Sequence, residues 1–205
     1  MLKPQEALDR AHNLVSQAIK AGADAADAVY VCDASTDVQV RLGQLEDVAR
    51  SEGEDIGLRV FVGQRSATIS SSNMNPDILA GLVARAIDMA KEAPEDQYAG
   101  LAPHDRLLTG AMPDFDGDDG QDPDPAILRA AALECEDAAR AVPGVTNSEG
   151  AGASASRSIF ALATSHGFAG VKAGSGYGIS ASVLSGDGDA KERDYDWRSA
   201  RHLAD

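Results

Sequence analysis

The chain has 205 residues, 43% hydrophobic and 25% charged, the make-up of a globular protein with room for one large domain or two small ones. A formal net charge of −15 without any Lys/Arg cluster argues against a phosphate-binding surface, and so against nucleic acid; it serves solubility or suits a basic peptide or protein partner. No apolar run nears the roughly 20 residues a membrane helix needs, and Met1-Leu2-Lys3-Pro4-Gln5-Glu6 lacks the apolar stretch of a secretory signal, so no membrane contact and a cytoplasmic location are expected.

In chain order, Pro4 to Gly22 reads as a helix, with Leu8, Ala11, Val15, Ala18 and Ile19 at helical spacing and His12 beside that stripe. Residues 26–32 alternate as a strand, and Val38, Val40 and Leu42 alternate as a second one. After a turn near Gly43, residues 46–52 form another strand. Residues 57–62 and 65–71 then make a hairpin around Gly63-Gln64, with Leu58, Val60, Val62, Ala67 and Ile69 able to share a face. Asn75-Pro76-Asp77 caps and opens a second helix, whose stripe is Ile78, Leu79, Leu82, Val83, Ala86, Ile87 and Ala90, and Pro94 ends it. Residues 93–124 are a long crossing or loop rich in Pro, Gly and Asp. A third helix opens at Asp124-Pro125, carries Ile127, Leu128, Ala131, Cys135, Ala138 and Val142, and ends at Pro143-Gly144. Strands follow at 145–148, 156–164 and 168–172, and then a pair after Gly176 joined by a Gly/Asp turn at 186–189.

Helix, several antiparallel strands and helix, followed by helix and several antiparallel strands, is an α+β order, unlike alternating βαβ. The run beginning at Gly57 recurs at Gly178, about 120 residues later, which predicts antiparallel sheets with packed helices built by duplicating a helix–meander–helix unit. The expected units are residues 1–110 and 111–205, the second cut before a further C-terminal domain. With aromatic content at 4%, the core should be aliphatic and closely packed. Cys32 and Cys135 have no metal-ligand neighbours and read as reduced, buried small hydrophobes.

No catalytic set emerges from the motifs. Asp114-Phe115-Asp116-Gly117-Asp118-Asp119-Gly120 begins like a calcium loop, but Asp119 stands where Gly is needed and Pro125 where a bidentate Glu is needed, so a solvated acidic loop is expected. Gly174-Ser175-Gly176-Tyr177-Gly178 leads into a strand instead of a helix, which excludes the dinucleotide fingerprint. His12, His104, His166 and His202 are scattered, giving no zinc site. Ser165 beside His166 lacks a third member for a triad. The candidate peptide- or partner-facing residues are Arg193, Tyr195 and Trp197, which share one face of a strand opposite Asp194 and Asp196. Arg59 and Arg65 on the first hairpin are further candidates.

Several segments together carry a family resemblance: residues 51–63 (SEGEDIGLRVFVG), 93–101 (APEDQYAGL), Thr146-Asn147-Ser148-Glu149-Gly150, Thr164-Ser165-His166-Gly167 and 188–195 (GDAKERDY). In order and over essentially the whole chain they resemble the N-terminal half of the TldD/PmbA family, nearer the PmbA (TldE) branch. The resemblance implies a subunit that pairs with a TldD-like catalytic partner in a cytoplasmic, metal-dependent peptidase acting on peptides or unfolded chains, including peptide maturation. It also carries the label of a modulator of DNA gyrase. Zinc or another divalent metal is expected in the TldD partner, on a helix with a His-Glu and His set. Nothing in residues 1–205 matches those ligands, so no catalytic, metal or cofactor residue transfers to this chain. The alternative is a regulatory protein-binding module without a proteolytic role.

Overall fold

Pro4 stands in the first turn of α1 (Pro4–Lys20), where its missing N–H costs nothing, and the Lys3 N–H donates to Glu6 Oε2 at 3.0 Å. The computed structural model describes residues 3–205; Met1 and Leu2, which open the N-terminal run, lie outside the described residues. The buried stripe of α1 is Ala7, Ala11, Leu14, Val15 and Ala18, one step round from the expected one. His12 and Ile19 are therefore exposed.

The second helix, α2 (Pro76–Glu92), starts as its sequence dictates, with the Asn75 side chain accepting from the Asp77 N–H at 2.9 Å. In the third, α3 (Pro125–Arg140), Asp124 accepts from the Ala126 N–H at 2.8 Å. The α2 stripe is buried from Leu82 to Ala90, while Ile78 lies outside it, 49% exposed. On α3 the buried positions are Leu128, Ala132 and Glu136, whereas Ile127 is exposed; Val142, expected on this helix, lies past its end and is exposed.

The strands are longer than their local patterns suggest. β1 (Ala25–Arg41), β2 (Gln44–Val62), β4 (Val145–Thr164) and β5 (Ala169–Ser185) each run without a break through Gly, Ser and Asp stretches that read as interruptions. Ladder pairing with neighbouring strands overrides the weak local preference. With the shorter β3 (Arg65–Ser71) and β6 (Glu192–Ala200), they make one sheet in the order β3-β2-β1-β4-β5-β6. β2 and β3 are antiparallel, with Leu58 opposite Ile69; β5 and β6 are antiparallel, with Ser182 opposite Tyr195. The fold is α+β, as expected, and a helix followed by three strands occurs twice, with Gly57 opposite Ser70 in one outer hairpin and Gly178 opposite Ser199 in the other.

Packing divides the chain into two compact units that interleave along it. The first holds residues up to Asp33, Gly53–Phe115 and Ser158–Ala173; the second holds Ala34–Glu52, Asp116–Arg157 and Gly174–Asp205. The consecutive spans 1–110 and 111–205 are a partition by chain order, and packing partitions differently because all four long strands contribute to both units. In the first unit α1 and α2 cover a sheet face of Ala26, Ala28, Tyr30, Leu58, Val60 and Ala161. Alanine and other small residues let the helices approach closely, and Tyr30, fully buried, supplies bulk, its hydroxyl donating to Glu54 at 2.6 Å. The core of the second unit is Val38, Val40, Leu128, Ala132, Ala151, Ala153 and Ala155.

Candidate peptide-facing groove

Within the second unit an open groove of about 830 Å³ runs along α3 and the β5–β6 hairpin, within the size range of a binding cleft. Side chains alternate along an extended strand, so Ile179, Ala181 and Val183 of β5 lie on one face opposite Arg198, Asp196 and Asp194 of β6. These residues line the groove with Cys135 and Ala138 from α3 and Val142 just beyond its end. The floor is thus apolar and the β6 rim is mostly acidic. Cys135 is half-buried, not fully buried as expected; burial and the neighbouring Asp196 charge push its thiol above its ordinary pKa, so it stays protonated.

The candidates Arg193, Tyr195 and Trp197 lie on β6 as the alternation predicts, across from Leu184, Ser182 and Ser180. Tyr195 and Trp197 are 64% and 63% exposed. The guanidinium of Arg193 stands 6.0 Å from the Tyr195 ring centroid and 3.5 Å from Glu149. The other two candidates belong to the first unit and are engaged internally: Arg59 forks onto Asp27 and covers the Phe61 ring, and Arg65 donates to the Lys91 carbonyl at 2.6 Å.

Because β6 ends the sheet, one of its edges has no strand partner. The backbone N–H groups of Tyr195 and Trp197, two residues apart and hence on the same edge, donate to the carboxylates of Asp194 and Asp196, each at 2.9 Å. Side-chain carboxylates thus occupy two backbone donors of the last strand of the sheet. The Asp-Tyr-Asp-Trp sequence therefore blunts its own strand. A peptide adding itself as a further strand along these donors would have to displace both carboxylates.

The acidic segment departs from the solvated loop expected. Asp118 receives both arms of Arg157 at 3.0 and 2.7 Å, and Asp122 receives Arg50 at 3.2 and 3.1 Å; each arginine holds its carboxyl below the ordinary range. Burial would raise the Asp119 carboxyl, but N–H groups of Leu203 and Gln121 and the hydroxyls of Tyr177 and Ser175 bring it down to about 2. Tyr177, half-buried and bonded to that carboxylate at 2.7 Å, is pushed up to about 12 by its loss of water and by that bond. The segment is stitched to β4 and β5 by these contacts. Ser165 accepts from the Ala26 N–H at 3.0 Å, and His166 Nδ1 pairs with the Ala102 carbonyl at 3.0 Å; they are fixed by different partners.

Glu136 is the residue that sequence reasoning missed. It sits on the buried stripe of α3, 0% exposed, and accepts from the Leu42 and Gly43 N–H groups, both at 2.8 Å, and from the Ser148 hydroxyl. Burial would raise its carboxyl, and these three donors outweigh burial and hold it low. Its only signal in sequence is an acid placed i+4 from Ala132 and i+8 from Leu128. Among the described residues no group of three or more His, Cys, Asp or Glu is placed to hold a metal ion.

Fold and groove together define a class: an α+β sheet domain made of a repeated helix–three-strand unit with an exposed, self-capped edge strand. Family models for PmbA/TldA metallopeptidase domain 1 and for the central domain match residues 26–90 and 118–205. The chain belongs to the PmbA/TldD family and corresponds to the N-terminal half of its PmbA members. It is 31% identical over 190 residues to the Metalloprotease PmbA homolog of Haemophilus influenzae, covering 92% of this chain and 42% of that protein. It is 28% identical over 196 residues to Metalloprotease PmbA of Escherichia coli O157:H7, covering 93% and 43%. A Bacteroides thetaiotaomicron protein described as a candidate modulator of DNA gyrase shares the fold at TM-score 0.88 and 20% identity, over 100% of this chain and 47% of that one. TldE of Thermococcus kodakarensis does so at TM-score 0.77 and 16% identity, over 93% and 43%. The chain thus spans less than half the length of the curated relatives it matches.

Proposed function

We propose that this chain is the substrate-guiding part of a PmbA/TldE-type subunit, contributing surface and no catalytic groups to a TldD–TldE metal-dependent peptidase whose metal belongs to the TldD-like partner. The observation that carries this reading is the groove in the second unit: an apolar floor of Ile179, Ala181 and Val183 beside Asp194 and Asp196. Family membership supplies the peptidase context. Apolar side chains of an extended peptide or unfolded chain enter the floor, and basic side chains meet the carboxylates. With the strand edge capped, recognition runs through side chains and is tolerant of sequence, as an apolar trough is. Tyr195 and Trp197, which also line the groove and are largely exposed, extend the contact area.

A basic–apolar peptide such as Lys-Leu-Lys-Leu-Lys-Leu should saturate backbone amide shifts at Ile179, Ala181 and Val183, while an Asp-Leu copolymer leaves them unchanged. The purified chain with added zinc should leave peptides intact, and a TldD-type protein should co-elute with it. Peptide cleavage by the chain alone would overturn the reading. Recovery of gyrase without a TldD-type protein would replace it with a regulatory module.

A further inference from the structure

The first unit contains a second cavity, of about 320 Å³, lined by Leu101, Leu107, Leu108, Leu162 and Phe168 together with Asp27, Arg59 and Arg106. Its size is that of one large side chain plus a small polar group, near the lower end of ligand pockets. Asp27 is held by both arms of Arg59, so these two neutralise each other. Arg106, exposed and lining this leucine-walled cavity, gives it a cationic side chain complementary to an anion carrying an apolar group.

The wall that presents Arg106 is fixed in place. His166 Nδ1 pairs with the Ala102 carbonyl at 3.0 Å, and the His166 ring stacks on His104 at 4.5 Å between centroids. The Arg106 N–H donates to the Pro103 carbonyl at 3.0 Å, closing a single turn at His104–Arg106. Across the cavity, Phe168 is anchored by its N–H to Thr164 Oγ1 at 3.2 Å. Arg106 therefore approaches the cavity from a tethered turn.

We propose that this cavity binds a carboxylate attached to an apolar group, with the carboxylate on Arg106 and the apolar group among Leu107, Leu162 and Phe168. The C-terminal residue of a peptide and a free aliphatic acid share that chemistry. The site stands on residues of the first unit and is independent of the groove and of any catalytic partner.

The test titrates the isotopically labelled 205-residue chain with acetyl-Gly-Gly-Leu, its C-terminal amide, and octanoate, following backbone amide shifts. The acid should saturate shifts at Leu162, Thr164 and Phe168. Its amide should bind roughly 2- to 5-fold more weakly, the loss of one solvent-exposed ion pair. Arg106→Gln should abolish that preference, and Arg106→Lys should restore part of it; Arg106 is exposed, so both variants should fold. Binding of octanoate at the same amides would show that a free acid suffices. Binding of the peptide acid without octanoate would assign the site to chain ends. Equal binding of acid and amide, an unchanged preference in Arg106→Gln, or no saturable shift at these residues would overturn the proposal.

Discussion

Removing the Glu136 carboxylate should be among the most damaging single changes in the second unit. Glu136→Ala strips an acceptor from three donors at once: the Leu42 and Gly43 N–H groups and the Ser148 hydroxyl. An orphaned buried donor costs about 1–3 kcal/mol. Here the cost per group falls at the low end, because the turn is open on one side (Leu42 is 48% exposed) and water can reach part of it. Losing the buried methylene adds about 0.8 kcal/mol, giving roughly 3–4 kcal/mol in all. Glu136→Gln keeps the volume but turns one acceptor into a donor facing a donor, and should cost about 2 kcal/mol. Urea unfolding followed by far-UV circular dichroism measures the global loss. Amide exchange at Leu42 and Gly43 measures it locally, whether or not the two units unfold together. The pH dependence has a definite sign. A carboxyl held low in the folded state contributes stability that is present above its unfolded pKa of about 4.3, and lost as pH falls through the lower folded value. Glu136→Gln should flatten that acid limb. A loss under about 1 kcal/mol for Glu136→Ala, with unchanged exchange at the turn, would refute the accounting.

Three further outcomes follow from the geometry. Leu42 holds φ 50° and Gly43 φ 76° in the β1–β2 turn, so Leu42→Asn, giving the favoured Asn-Gly pair, should raise stability by about 0.5–1 kcal/mol; a lower melting temperature would contradict this. At Gly150, φ is 119° and an added Cβ would stand 2.8 Å from the Val40 carbonyl oxygen, so Gly150→Ala should cost at least about 2 kcal/mol in the same urea assay, and a neutral result would show that β4 can shift. Replacing Asp194 and Asp196 together by Ala removes the acceptors of two β6 N–H groups; the variant should sediment as a larger species than the parent chain with a blue shift of Trp197 emission, and unchanged sedimentation would show that these carboxylates do not guard the strand.

The sequence was legible where structure depends on neighbours in the chain. Asn75-Pro76 and Asp124-Pro125 announce their helices because a cap needs only a side chain two residues before an N–H. The Gly63 hairpin and the Arg193-Asp194-Tyr195-Asp196-Trp197 alternation were readable for the same reason, since pleating repeats every two residues. Strand length was not readable: the polar stretch Ser35-Thr36-Asp37 looks like a break in β1 until pairing strands flank it.

What residues 1–205 determined alone was the α+β order, the repeated helix-and-strands pattern, and the family those segments resemble. Tertiary structure decided which polar groups are partners. Glu136 reaches Leu42 across 94 positions, Asp118 reaches Arg157 across 39, and the cavity around Arg106 draws walls from Asp27 to Phe168. Local propensity is set within about one turn of chain, whereas burial, charge pairing and cavities are set by register between distant strands, and one sequence read in order carries no measure of that register.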